Sequence, residues 1–160
     1  MIQAITETNL TVYIQTEDNR INTSVSSAHI RHLLKFTNDL DKSIHYAYGA
    51  TETIYNRYTK LTFAYIVEPD RYDGLINFLP SGYWKYEAYE VSWATTEISI
   101  SEGTAPKDET DVLPVSPANG IVQGLVTKGK MYLTDKDGTE QVQYTQRQEP
   151  SGTNYIYYGQ

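Results

Sequence analysis

The sequence predicts an all-β protein: an antiparallel β-sandwich, or a flattened barrel, with one long exposed loop. Three observations carry that expectation. Thr, Tyr, Val and Ile recur at period two over most of the chain, the pattern of half-buried strands. Turn-forming clusters interrupt the pattern at short intervals, as at Glu68–Gly74, Pro80–Gly82 and Glu149–Gly152. The result is about nine or ten short strands without an internal repeat, which suits a sandwich or barrel. The chain has 160 residues, which fits one domain over residues 1–160, with extended N- and C-terminal arms.

The elements follow in order. Leu10, Val12 and Ile14 alternate with Thr11, Tyr13 and Gln15, a strand ended by the turn-like Glu17–Arg20. Ile30, His32, Leu34 and Phe36 share one face of a second strand. Helical spacing (Ile30, Leu33, Leu34, Thr37) competes there, but Thr37–Asp39 ends the run abruptly. Ile44, Tyr46 and Tyr48 alternate just beyond, so the two runs read as a hairpin joined by Asn38–Lys42. Tyr55–Val67 reads as one strand with Tyr55, Arg57, Thr59, Leu61 and Phe63 on one face. Leu75–Leu79 is a short apolar run. Tyr83–Trp93 carries both tryptophans and three tyrosines and is expected at the centre of a sheet, with Ile98–Ile100 as its hairpin partner or its tail.

Ser101–Asn119 breaks the pattern. Pro106, Pro114 and Pro117 block ladder hydrogen bonds, and the charges between them resist burial. It is expected to be exposed and mobile, with Lys107 the first site of proteolysis. Strand character returns over Gly120–Leu133, where Gly124 and Gly129 mark a bulge or a close approach. Asp137-Gly138 signals a two-residue turn between Met131–Thr134 and Gln141–Tyr144. Tyr155–Tyr158 reads as a terminal strand, or one lent to a neighbour.

Composition narrows the function. Thirteen Lys and Arg against 20 Asp and Glu give a net charge of −7, a poor footprint for phosphate-mediated nucleic-acid binding. The absence of Cys excludes disulfides, thiolate nucleophiles and cysteine-ligated zinc. The first residues have neither a basic n-region nor an apolar h-region, and the longest apolar run, Phe63–Val67, is far short of a bilayer span. Export and membrane insertion are therefore not expected.

The chemistry-bearing residues are sparse. His29 and His32 would share a face on a helix, as a metal pair needs, but oppose each other on a strand, and no third ligand is nearby. His45 reads as the solvent side of its strand. Asp70, Asp73, Glu87 and Glu90 could supply a glycosidase carboxylate pair, a geometry that spacing alone cannot show. Asp135–Gly138 resembles the opening of a calcium loop, but the required Glu is missing. No serine sits in a nucleophile elbow. No catalytic residue, cofactor or metal is therefore expected.

The aromatics carry more. The chain has 15 Tyr against 3 Phe and 2 Trp, and a tyrosine hydroxyl prefers water or a partner. Trp84, Tyr86, Tyr89 and Trp93 read either as core with one tyrosine-rich sheet face, or as an oligomer interface or sugar-stacking platform. They are interface candidates together with the terminal Tyr155, Tyr157 and Tyr158.

Two segments also carry a resemblance. Phe78–Glu90 (Phe-Leu-Pro-Ser-Gly-Tyr-Trp-Lys-Tyr-Glu-Ala-Tyr-Glu) and Asn119–Leu133, with its Gly-Leu-Val-Thr-Lys-Gly-Lys, are similar to small β-sandwich virion proteins of tailed phages of Bacteroidetes, including crAss-like phages. Leu34–Asp39 and Arg57–Thr59 resemble the same family, so the likeness spans roughly residues 30 to 133. It implies a non-enzymatic structural subunit, assembled in the host bacterial cytoplasm into the virion. Its place would be on the head as an auxiliary or decoration protein, or in a neck ring at the head–tail connector. The implied partners are copies of itself and capsid or portal and neck subunits, without direct nucleic-acid or membrane contact. The competing class is a carbohydrate-binding module that uses exposed Tyr or Trp.

Overall fold

The computed structural model of the chain describes residues 1–138. Its strands are β1 (Ile2–Ile5), β2 (Leu10–Ile14), β3 (Ile30–Asn38), β4 (Ile44–Tyr48), β5 (Thr51–Ile54), β6 (Thr59–Tyr65), β7 (Leu75–Ile76), β8 (Gly82–Ser92) and β9 (Ile121–Thr134). One sheet has the order β1-β9-β8-β3-β4, the other β2-β6-β5, with β7 added alongside β6. The two enclose a core in which Leu10, Val12, Ile14, Leu61 and Phe63 meet Leu34, Phe36, Trp84, Met131 and Leu133. The all-β sandwich, or flattened barrel, is thus the fold.

The sheets are mixed rather than purely antiparallel. β1 runs parallel to β9, and β7 parallel to β6. Neither pair is joined by a hairpin, so no tight turn dictates its direction. The N-terminus is no free arm, because β1 and β2 are both built into sheets.

Alternation decides which face each residue takes. Leu10, Val12 and Ile14 are buried and Thr11 and Tyr13 exposed, as period two requires. Ile30–Phe36 is a strand, and it pairs with β4 in the expected hairpin. β8 is the central strand of its sheet, with β9 on one side and β3 on the other. Gly124 has φ +148 where the β8–β9 register shifts, so it serves the bulge. Gly129 serves the close approach: a Cβ there would lie 2.7 Å from the Tyr86 ring.

Four expectations are corrected. Tyr55–Val67 is not one strand, because Tyr55 N–H donates to Tyr58 O at 2.9 Å across a tight turn between β5 and β6. Tyr55 and Arg57 therefore leave the face of Thr59, Leu61 and Phe63. The turn carries no Gly or Pro, and Asn56 is its one turn-favouring residue. Ile98–Ile100 forms no strand and packs instead against a second apolar cluster. His45 is not on the solvent side: its ring lies 5.6 Å from Trp84 and 5.9 Å from Phe78, and burial pushes its imidazole pKa down against the nearby Asp41 charge. Finally, the Ser101–Asn119 loop is only partly exposed, as described below.

A turn closes over Asp135–Gly138, with Gly138 at φ +86 and its N–H on Asp135 O at 3.1 Å, so Lys136 and Asp137 are its central residues rather than Asp137 and Gly138. Met131–Thr134, however, is flanked by both β1 and β8, so neither edge is open to a returning hairpin strand. Gln141–Tyr144 and the terminal Tyr155, Tyr157 and Tyr158 lie outside the described residues.

Candidate functional site

The outer face of the five-stranded sheet carries the most elaborate arrangement. Odd-numbered β3 residues and the β4 tyrosines point away from the sandwich core and would be a wet tyrosine-rich face if uncovered. Residues from the long loop cover them instead. Leu33, Tyr48, Val91, Trp93 and Ala105 form a second buried cluster, with Tyr46, Tyr72, Tyr89, Ile98, Ile100 and Val122 around it.

Polar contacts tie this strap down. Tyr48 donates its hydroxyl to Pro106 O at 2.8 Å, and Arg71 donates to Lys107 O at 2.8 Å. Glu109 accepts from Tyr46 Oη at 2.6 Å and pairs with Lys35, whose ammonium also lies 3.8 Å from Glu87. Burial and the hydrogen bond to Glu109 push the Tyr46 phenol well up. Burial, the Glu87 charge and the hydrogen bond to Glu87 push Tyr89 up to about 12. Partial burial would raise the Glu109 carboxyl, but the hydrogen bonds from Lys35 and Tyr46 outweigh it and hold it below the usual range.

That sign sets a pH dependence. A carboxyl with a lowered folded pKa contributes stability that is complete above its ordinary value of about 4.3 and fades as pH falls through the folded value. The strap should therefore hold at neutral pH and loosen in acid. Glu109→Gln should mimic the acid state and speed tryptic cleavage after Lys107 several-fold at neutral pH. Equal cleavage of variant and parent would show that Glu109 does not hold the strap.

Beyond the strap the loop changes character. Val112 is 89% exposed and Val115 fully so, carried between the Glu109 anchor and the Pro114 and Pro117 kinks. Asn119 donates to Pro114 O at 2.9 Å and closes the tip. An apolar tip is thus displayed on a fixed base.

A second polar centre lies inside the sandwich. His32 Nδ1 and Glu52 Oε1 are 2.6 Å apart, both side chains only 2% exposed, and His32 N–H also reaches Glu52 Oε2 at 3.1 Å. Glu90, opposite His32 in the β3–β8 register, is fully buried. It accepts the backbone N–H groups of Ile21 and Asn22 at 2.9 and 2.8 Å. These carboxylates are spent on internal partners. Glu87 serves Lys35 and Tyr89. Asp70 accepts Tyr72 N–H and lines one cleft with Asp73 and Glu102. Of the four acidic residues considered for glycoside cleavage, Asp70 and Asp73 thus share a cleft, and Glu87 and Glu90 lie outside it. His29 bonds Trp93 O and does not converge with His32.

No family model, no curated protein and no solved structure matches this chain. Among the described residues, no group of three His, Asp or Glu could hold a metal ion, and no helix is long and apolar enough to cross a membrane.

The interface candidates separate. Trp84 and Trp93 are corrected to core: Trp84 is 0% exposed and donates to Pro80 O at 3.1 Å, and Trp93 is 2% exposed. Tyr86 and Tyr89 are half-buried, under Gly129 and beside Glu87 respectively. The aromatics that do reach solvent are Tyr83, on the aromatic strand itself, and three that were not singled out: Tyr13, Tyr55 and Tyr58, with ring centroids 5.7 Å (Tyr13–Tyr58) and 4.8 Å (Tyr55–Tyr58) apart. Period two would have placed Tyr13 outward, since its neighbours Val12 and Ile14 are apolar. Glu109 had no signal at all, since its partners lie 74 and 63 residues away.

Proposed function

We propose that this chain is a non-enzymatic structural subunit of a tailed-phage virion, a head auxiliary or decoration protein or a neck-ring component, working through repeated protein–protein contacts. The assignment to a particle rests on the resemblance of Phe78–Glu90 and Asn119–Leu133. The observation that carries the contact-making part is the Val112–Val115 tip. Apolar side chains held on an anchored base carry no chemistry of their own. They lose little entropy on docking, because the base is already ordered.

Copy counting on purified particles tests the assignment: hundreds of copies fit a head coat, and about six or twelve a ring. Val112→Asp with Val115→Asp should leave the melting temperature nearly unchanged, since exposed substitutions usually stay within about 0.5 kcal/mol. Occupancy on particles should fall several-fold. Full occupancy would remove the tip from the interface. Finding the protein only free in lysate would defeat the virion reading and favour sugar binding, for which Tyr13, Tyr55, Tyr58 and Tyr83 are exposed rings.

A further inference from the structure

We propose that β2 is a docking edge for a second copy of this chain, pairing antiparallel with its own two-fold mate and joining two β2-β6-β5 sheets into one. The proposal deepens the assembly reading and rests on it in supposing that copies meet.

The hydrogen-bonding pattern identifies the free groups. In an antiparallel ladder each residue directs its N–H and C=O to the same side. Thr62 O accepts Ala50 N–H on the β5 flank of β6, and Ala64 N–H reaches Gly74 O toward β7 on that same flank. Tyr65 N–H reaches Asn9 Oδ1 on the opposite, β2 flank. Odd-numbered β6 residues therefore face β2. Their register partners are Leu10, Val12 and Ile14. Those three bond to β6, which leaves Thr11 and Tyr13 with N–H and C=O directed away from the sheet. Among the described residues no strand lies on that flank.

The other edges are guarded in the ways that sheet proteins use. The β4 edge is covered, since Tyr48 N–H donates to Arg71 O at 2.8 Å. β5 carries an inward-pointing charge, Glu52. β1 is only four residues long and ends beside the Glu7–Lys136 ion pair. β2, Leu-Thr-Val-Tyr-Ile, has no charge, no Pro and an unbroken register with β6. The groove beside it lies between β1 and β2, with Met1, Ile2 and Gln3 on one wall, Thr11, Val12 and Tyr13 on the other, and Tyr86 between the two.

The occupant follows from the same geometry. A two-fold axis at Val12 places Thr11 of one copy opposite Tyr13 of the other, and the reverse, each pair exchanging both of its N–H···O bonds. An antiparallel edge is complementary to itself under that symmetry, which makes a second copy the fitting partner. Tyr13, 59% exposed, would then lie beside the mate's Thr11 on the outer face, a favourable aromatic and β-branched pair.

Sedimentation of the full chain against concentration tests this, with amide exchange of Thr11 and Tyr13 as the local readout. The mass should rise from 18.2 kDa to twice that value, with both amides protected only in the dimer. Thr11→Pro removes an outward N–H without touching the β6 ladder and should abolish the dimer. Tyr13→Lys places a charge on the same edge and should do likewise, and it decides the matter if the proline variant fails to fold. Tyr83→Lys, exposed on the other sheet, should dimerise like the parent. A parent that stays at 18.2 kDa up to its solubility limit overturns the proposal. So does a dimer that leaves the two amides unprotected, or an assembly larger than two. Occupancy on particles is read separately, so the virion reading and this edge can fail independently.

Discussion

Replacing Glu52 by Ala should cost about 3–5 kcal/mol of folding stability, the usual result of removing one partner from a buried polar pair. The pair is shut off from water, with both side chains 2% exposed, so no solvent replaces the lost carboxylate. His32 would lose its partners at both Nδ1 and the backbone N–H. Glu90, its cross-strand neighbour, cannot take over, since its oxygens already hold Ile21 and Asn22. Replacing His32 and Glu52 together by Leu should recover part of the loss, because no imidazole is then left unpaired, while the backbone N–H of residue 32 still lacks its acceptor. Urea unfolding of the single and double variants measures both. A single-variant loss below about 1 kcal/mol, the scale of an exposed pair, would mean that water reaches the pair in solution.

Trp93→Ala should cost a comparable amount, about 3–5 kcal/mol, as large core truncations do. The ring is the keystone of the second cluster, touching the layer that includes Leu33, Tyr48, Val91 and Ala105. Gly120 exists to make room for it: a Cβ there would lie 2.6 Å from Trp93 Cζ2. Loss of the ring should also free the strap, so cleavage after Lys107 should accelerate alongside the drop in stability. Trp93→Phe should cost clearly less, because the buried Nε1 has no hydrogen-bond partner among the described residues and so none is lost. If Trp93→Ala melts like the parent, the cluster is not a second core. Stability lost without faster cleavage would separate the ring from the strap.

Much of the fold was legible in the sequence, and for one reason. Burial on one face of a strand writes period two into the residues themselves, so β2, β3 and β8 could be read from Leu10–Ile14, Ile30–Phe36 and Tyr83–Val91. Gly124 and Gly129 were legible too, because a bulge and a ring packed on backbone both demand a residue without a side chain. The β5–β6 turn was hardly legible, since Tyr55 to Tyr58 carries neither Gly nor Pro and a lone Asn56 is a weak mark inside a strand-forming run.

The candidate site was nearly invisible. Local pattern shows that Pro106, Pro114 and Pro117 cannot join a ladder, but not what their loop lies against. That depends on β3, β4 and β8 arriving side by side, so that Lys35 and Tyr46 meet Glu109 and Trp93 meets Gly120. Exposure of the tyrosines was decided in the same way: composition supplied a surplus of rings, and pairing chose Tyr13, Tyr55 and Tyr58 for the surface while the strap covered Tyr48. The sequence by itself determined a strand-rich, acidic, cysteine-free sandwich, because alternation and composition act residue by residue. Tertiary structure alone decided which faces are covered and which edge carries no strand among the described residues, because those depend on contacts between residues far apart in the chain.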